Sequence, residues 1–319
     1  VTLTELIQLL ADGLVLGSMY GLIAVGYTMV YGILQLINFA HGEIFMLGGF
    51  GALFVYAWVP GLQSVSLWLA LPVLLIAGII IAVTAAVAAE RFAYRPLRRA
   101  PRLAPLIAAI GLSLFLQQVV FNFFTLPGES VGVTAPVAFP QLPGKPLEIG
   151  GVAISHAAVL TVVVAALCMT ALAWFVRRTR TGRAMQATAQ DPATARLMGI
   201  DTDRVIVIAF AIGAVLAAVA CITQGLRLGL ISYNMGFIAG LKGFTAAVLG
   251  GIGNIRGAML GGVVLGVAES AASGILPHIP SLSMFGGSVW KDVWAFVILI
   301  VVLLIRPQGL LGERVADRA

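Results

Sequence analysis

Charge is scarce in this chain. Asp, Glu, Lys and Arg make up 10% of it, against roughly 25% in an average soluble domain, and this excludes an ordinary soluble fold. Cysteine is scarcer still. Cys168 and Cys221 each stand alone in an apolar run with no Cys or His at metal-ligand spacing, which excludes a disulfide framework or zinc site and leaves them as small packing residues. His41-Gly-Glu43 is not a zinc-protease motif, which needs two histidines and a glutamate at helical spacing. The Gly-x-x-x-x-Gly-Lys-Ser/Thr phosphate loop is missing, so the chain is not expected to hydrolyse ATP. An intramembrane hydrolase is set aside for want of a nucleophile or metal constellation. No Lys or Arg precedes Arg91, and the N-terminus lacks the basic region and cleavage site of a secretory signal, so the first apolar run is expected to stay in the mature protein.

What is abundant is apolar: 60% of residues are hydrophobic and the mean hydropathy is +1.05. A bilayer core about 30 Å thick needs about 20 apolar residues per helix. Such runs occur near 11–33, 44–59, 65–89, 104–126, 152–176, 205–226, 238–252, 257–276 and 289–305. The fold class expected is all-α, a polytopic membrane bundle of about eight transmembrane helices in one domain over 1–319. The runs at 44–59 and 238–252 are short or glycine-rich and read as discontinuous segments. Gly42 to Gly49 resembles Gly257 to Gly262, each after an asparagine (Asn38, Asn254), a faint sign of two-half pseudo-symmetry. Glycines at four-residue spacing (Gly17 and Gly21; Gly253, Gly257 and Gly261; Gly262 and Gly266) read as ridges for close helix packing.

The net charge of +6 is clustered. Arg91, Arg95, Arg98, Arg99 and Arg102 form one group, and Arg177, Arg178, Arg180, Arg183, Arg196 and Arg204 a second. Both read as cytoplasmic loops under the positive-inside rule, which also puts the C-terminal tail in the cytoplasm and 127–151 outside. This topological pattern, rather than a basic face, argues against nucleic-acid binding. The orientation of the N-terminus stays open, because it depends on whether 35–59 crosses or re-enters.

Charged groups deep in a bilayer need a partner, a wet cavity or a function. Arg227, Lys242 and Asp292 fall near span ends and read as snorkelling side chains; Glu90, beside Arg91, reads as interfacial. Asn38, His41 and Glu43 cluster at a helix break, and Glu269 sits mid-run. For all four, lining of a translocation path and a buried structural network both stand. In the loop 177–204, Asp191 suits an N-cap, Pro192 the first helical position, Ala193 to Met198 a short helix and Gly199 its stop. A docking element and a solvated connector both fit this pattern.

Gly26 to Glu43, Glu90 to Pro96, Gly182 to Ala184, Ala195 to Arg204 and Lys242 to Gly253 together resemble the LivH-type permeases of branched-chain amino acid ABC importers, and the likeness runs from about Gly13 to Leu311. The resemblance implies a bacterial inner-membrane permease for leucine, isoleucine and valine. It also implies a second related permease subunit, two ATPase subunits that bind the ATP, and an extracytoplasmic substrate-binding protein. No cofactor of its own is implied. ABC importers carry a coupling helix of pattern Glu-Ala-Ala-x-x-x-Gly, which falls here on Ala193, Thr194, Ala195 and Gly199, with Asp191 and Arg196 beside it; the acidic residue is absent. Related chains of similar layout import urea or short amides. An ion-coupled secondary transporter using Glu43 and Glu269 as cation sites is the competing class.

Overall fold

The computed structural model describes residues 2–312 except 99, 102, 129–130, 281–282 and 288–289. Its helices are α1 (Leu3–Leu34), α2 (His41–Trp58), α3 (Leu67–Ala89), α4 (Arg95–Leu97), α5 (Leu103–Phe123), α6 (His156–Arg178), α7 (Arg180–Gln190), α8 (Pro192–Leu197), α9 (Thr202–Leu228), α10 (Met235–Gly250), α11 (Ile255–Ile275) and α12 (Lys291–Ile305). The chain is an all-α membrane protein. Among the described residues six helical stretches are long and apolar enough to cross a bilayer: α1, α3 continued through Leu97, α5, α6, α9, and α11 continued through His278. The shorter α2 and α10 lie between them, and α12 follows the last.

Helix α1 starts earlier than its hydropathy suggests. Thr2 and Glu5 form a capping box, each side chain bonded to the other's backbone N–H, which fixes the first turn eight residues before the expected start at 11. Helix α3 runs into a π-helical turn at Glu90–Tyr94 before α4. Outside the helices, Val137–Ala138 (β1) pairs with Leu230–Ile231 (β4), and Leu147–Ile149 (β2) with Val152–Ile154 (β3), all antiparallel. The second pair closes through Gly150 and Gly151, both at positive φ (61° and 86°), as the tight hairpin turn requires.

Burial separates an inner set of helices from an outer one. The apolar windows of α1 and α9 are 72% buried, that of α5 only 22%. Ile107, Leu114 and Phe115 on α5, with Leu167 and Trp174 on α6, are exposed. Apolar surface on this scale would aggregate in water and is stable against lipid. The glycine ridges serve two seams: Gly257 and Gly261 of α11 pack on Gly250 and Ala246 of α10, and the second seam lies between α1 and α11. Gly13, Gly17 and Gly21 of α1 lie against α11, where Gly262 and Gly266 give the matching flat surface. The ridges are thus contacts within the chain. The sequence echo is less complete: Asn254 caps α11 through the N–H groups of Arg256 and Gly257, whereas the side chain of Asn38 caps no helix.

The ends of α1 mark the two faces. Near Leu3, the Gln8 side chain exchanges hydrogen bonds with the backbone of Ala153 in β3. Near Leu34, Ile33 and Leu34 line a small cavity with Arg98, Thr188 and Arg196. The start of α1 therefore shares a face with the proline-rich 124–155 stretch, and its end shares the face of the arginine clusters. Helix α2 then returns, its Trp58 Nε1 bonded to the Thr125 carbonyl at 3.0 Å, so 35–58 passes between the faces instead of re-entering. Residues 309–312 pin the α10–α11 turn through Leu310 and Leu311 N–H bonds to Leu249 and Gly250.

Candidate functional site

The break between α1 and α2 is built by backbone geometry. Gln35 takes a left-handed conformation (φ 55°) at the end of α1, and Leu36–Ala40 is not helical. Freed backbone groups at membrane depth persist only where protein or water surrounds them. Asn38 and His41 are buried, and Glu43 is 0% exposed. The Asn38 Oδ1 accepts the Tyr94 hydroxyl. The His41 ring stands edge-on to Tyr27, centroids 4.8 Å apart, against the bare backbone of Gly26. Glu43 Oε1 accepts from Ser113 Oγ at 3.0 Å and Gln117 Nε2 at 2.7 Å, both on α5. Its Oε2 meets no donor among the described residues and faces Gly236 of α10, where a Cβ would come within 2.5 Å of it. A carboxylate with one anchored and one uncommitted oxygen, walled by glycine, is a polar element that a small backbone shift would open.

Glu269 lies apart from this cluster. Lys242 Nζ donates to its Oε1 at 2.8 Å and to Asp292 Oδ1 at 2.6 Å, while the Tyr20 hydroxyl donates to its Oε2 at 3.0 Å and accepts from Lys242 at 3.1 Å. The network ties α1, α10, α11 and α12 together. The snorkelling expectation for Lys242 is corrected here: α10 begins at Met235, which places Lys242 two turns inside it and buries its side chain. Asp292 remains half-exposed. Glu90, expected to be interfacial, is buried as well, and pairs with Arg98.

On the arginine face, Asp191 caps α8 by accepting from the N–H groups of Ala193 (2.9 Å) and Thr194 (3.1 Å) and from the Thr194 hydroxyl. The helix is Pro192–Leu197, one residue shorter than expected, and ends in a Schellman motif. Gly199 sits at φ 81° and bonds to Arg196 O, and Ile200 N–H reaches Ala195 O. Ala195 is buried, while Leu197 and Met198 are 87% and 78% exposed at the tip. Hydrogen bonds from Thr194 hold the Asp191 carboxyl below the usual carboxylate range. A depressed pKa means that the cap contributes above the ordinary Asp value and is lost only as pH falls through the lowered one, so α8 stays capped at neutral pH. Asp191→Ala is expected to fray α8, read as faster amide hydrogen exchange at Ala193 and Thr194, with thermal unfolding of the membrane bundle unchanged.

Gly128-Glu-Ser130-Val-Gly132 has the spacing of a nucleophile elbow, which corrects the expectation that the sequence holds no such nucleophile pattern. It follows the helix α5 and precedes no helix, so the strand-to-helix context that exposes a reactive serine is missing; residues 129–130 lie outside the described ones. Ser113 and Gln117 were not singled out in the sequence, although their i, i+4 spacing puts two polar groups on one face of an apolar helix.

Residues 9–305 match the family described as branched-chain amino acid transport system, permease component. The high-affinity branched-chain amino acid transport system permease protein BraD of Pseudomonas aeruginosa is 45% identical over 310 residues, covering 96% of both chains. LivH of Escherichia coli K12, described in the same words, is 43% identical over 312 residues, again covering 96% of both. Among solved structures, PsaBC from Streptococcus pneumoniae in complex with Fab aligns at 12% identity and a TM-score of 0.48 over 96% of this chain and 91% of that one. A transmembrane helix bundle, a match over nearly the whole chain and relatives 43% and 45% identical leave one conclusion: this chain belongs to the family of branched-chain amino acid transport system permease components, and is a transport subunit, not a catalytic one.

Proposed function

We propose that this chain forms, with a second related permease subunit, the path for leucine, isoleucine and valine through the bacterial inner membrane. An extracytoplasmic binding protein delivers the substrate to the face carrying 124–155, and two ATPase subunits dock on the face carrying the arginines, α7 and α8. By the positive-inside rule that second face is cytoplasmic, so the start of α1 faces outward and the C-terminal tail inward. The observation that carries the reading is α8: a capped, Schellman-ended helix presenting Leu197 and Met198 bare on the arginine face. Such a rigid apolar tip suits a groove in a soluble partner and has no use in lipid. Asp191, Ala193, Thr194, Ala195, Arg196 and Gly199 shape it. ATP is bound and hydrolysed by the partners, whose closure displaces α8 and rocks the permease pair around a central path.

Asn38, His41 and Glu43 are the residues we place on that path. Glu269 is better read as structural, since both its oxygens are already bonded to Lys242 and Tyr20. The same pairing disfavours Glu269 as a coupling-cation site in a secondary transporter. Replacing Glu43 with leucine strips Ser113 and Gln117 of their acceptor. Each buried donor left unmet costs about 1–3 kcal/mol, so thermal unfolding in detergent should fall well below wild type, while Glu43→Gln, which keeps the Oε1 acceptor, should fold and transport poorly.

The substrate assignment is tested in a strain lacking its own branched-chain uptake, complemented with this chain and its partner genes. Labelled leucine uptake should be competed by isoleucine and valine and untouched by urea or acetamide. Competition by urea alone would move the assignment to the amide branch.

A further inference from the structure

Two runs of polar contacts, joined through the π-helical turn at Glu90–Tyr94, lead from α8 to the break before α2. Arg196 on α8 donates from Nε to Thr202 Oγ1 at 2.6 Å and stands 3.5 Å from Asp203. Asp203, in the first turn of α9, takes Arg95 on one oxygen at 2.8 Å and Arg98 on the other at 2.7 Å. Arg98 continues inward to the buried carboxylate of Glu90. Glu90 and Tyr94 bracket the π-helical turn at the end of α3. The Tyr94 ring lies 5.5 Å from that of Phe210 on α9, and its hydroxyl donates to Asn38 Oδ1 in the non-helical stretch that leads into His41 and Glu43.

Stability alone does not account for this arrangement. A buried ion pair contributes little beyond what apolar side chains of the same volume would give, and a π turn carries one residue more than the α-helical repeat and concentrates at working parts of proteins. That extra residue gives α3 a second register. A slip of one residue turns a helical side chain by about 100°, enough to swing Tyr94 off Asn38 and free the 35–40 stretch. Asp203 cannot follow α8 without pulling on Arg95 and Arg98, so the pull is delivered to the turn itself.

We propose that Asp203, Arg98, Glu90, Tyr94 and Asn38 are positioning residues that transmit displacement of α8 to the α1–α2 break, through a change of register at the π turn. The inference rests on α8 being the element that docks the ATPases.

The test uses the full transporter in proteoliposomes with its binding protein, reading leucine uptake and ATP hydrolysis together for Tyr94→Phe, Asp203→Asn and the double variant. Tyr94→Phe removes one oxygen and keeps the ring on Phe210; Asp203 is half-exposed, so its amide variant folds even where another does not. Each single variant should assemble and hydrolyse ATP at the wild-type rate yet import about fivefold less leucine per ATP, the lower end of ordinary coupling between sites. The double variant should lose no more than the worse single one, since both cut one chain of contacts. Losses that multiply in the double variant, or wild-type uptake per ATP in Asp203→Asn, would overturn the proposal. Leu197→Asp with Met198→Asp separates the two readings: retained ATPase association and coupling in that variant would remove α8 as the docking element, whatever Tyr94 does.

Discussion

Lys242→Met is expected to destabilise the folded permease by about 3–5 kcal/mol, the usual cost of leaving a buried charge without its partner. Among the described residues Lys242 is the only cation bonded to Glu269, which is 1% exposed, and the Tyr20 hydroxyl alone cannot replace it. The reverse change should be much milder. In Glu269→Gln, Lys242 keeps Asp292 at 2.6 Å, and that carboxylate, half in contact with solvent, already shares its charge. Lys242→Met combined with Glu269→Gln should recover most of the loss, since the orphaned charge is then gone. Thermal unfolding of the purified chain in detergent reads all three. Equal losses for Lys242→Met and Glu269→Gln would show that the network is not organised around the lysine.

Gly266→Leu should prevent recovery of folded protein, because its side chain would have to enter the backbone of α1 at Gly17 and Gly13. The opposite wall is as tight: a Cβ on Gly17 would lie 2.6 Å from Val263 Cα and 2.8 Å from Gly262 O. Neither neighbour is a side chain that can rotate away, so the helices must separate. In lipid, close van der Waals contact is most of what holds two helices together, and overpacking already costs about 1–3 kcal/mol where side chains can adjust. Gly111→Leu on α5 is the control. A Cβ there meets nothing within 4 Å, and this variant should be recovered at wild-type yield. If Gly266→Leu were also recovered intact and active, the α1–α11 seam would not be the close contact described.

What could be read without coordinates followed from local rules. The cap of α8, its glycine stop, the basic loops and the glycine ridges each rest on residues within a turn or two of one another. The contacts that were missed join distant positions. Lys242 looked terminal because hydropathy starts its run at 238, whereas the helix starts at Met235. Its partners Tyr20, Glu269 and Asp292 lie on three other helices, and no periodicity in one segment can pair them. Glu90 at its span end reads as interfacial; its burial against Arg98, eight residues on across the π turn, leaves no mark in hydrophobic spacing. Glu43 was legible as a buried charge at a break. Its bonds to α5 needed the fold, although Ser113 and Gln117 at i, i+4 in an apolar helix were a usable signal.

The most direct measurement is leucine-stimulated ATP hydrolysis by the purified chain reconstituted with its partner permease, the two ATPase subunits and the binding protein, beside the same chain reconstituted alone. The expected result is stimulation that needs every subunit and disappears when α8 is disrupted at Pro192–Gly199. Leucine uptake by the chain alone, driven by a proton or sodium gradient without ATP, would contradict it.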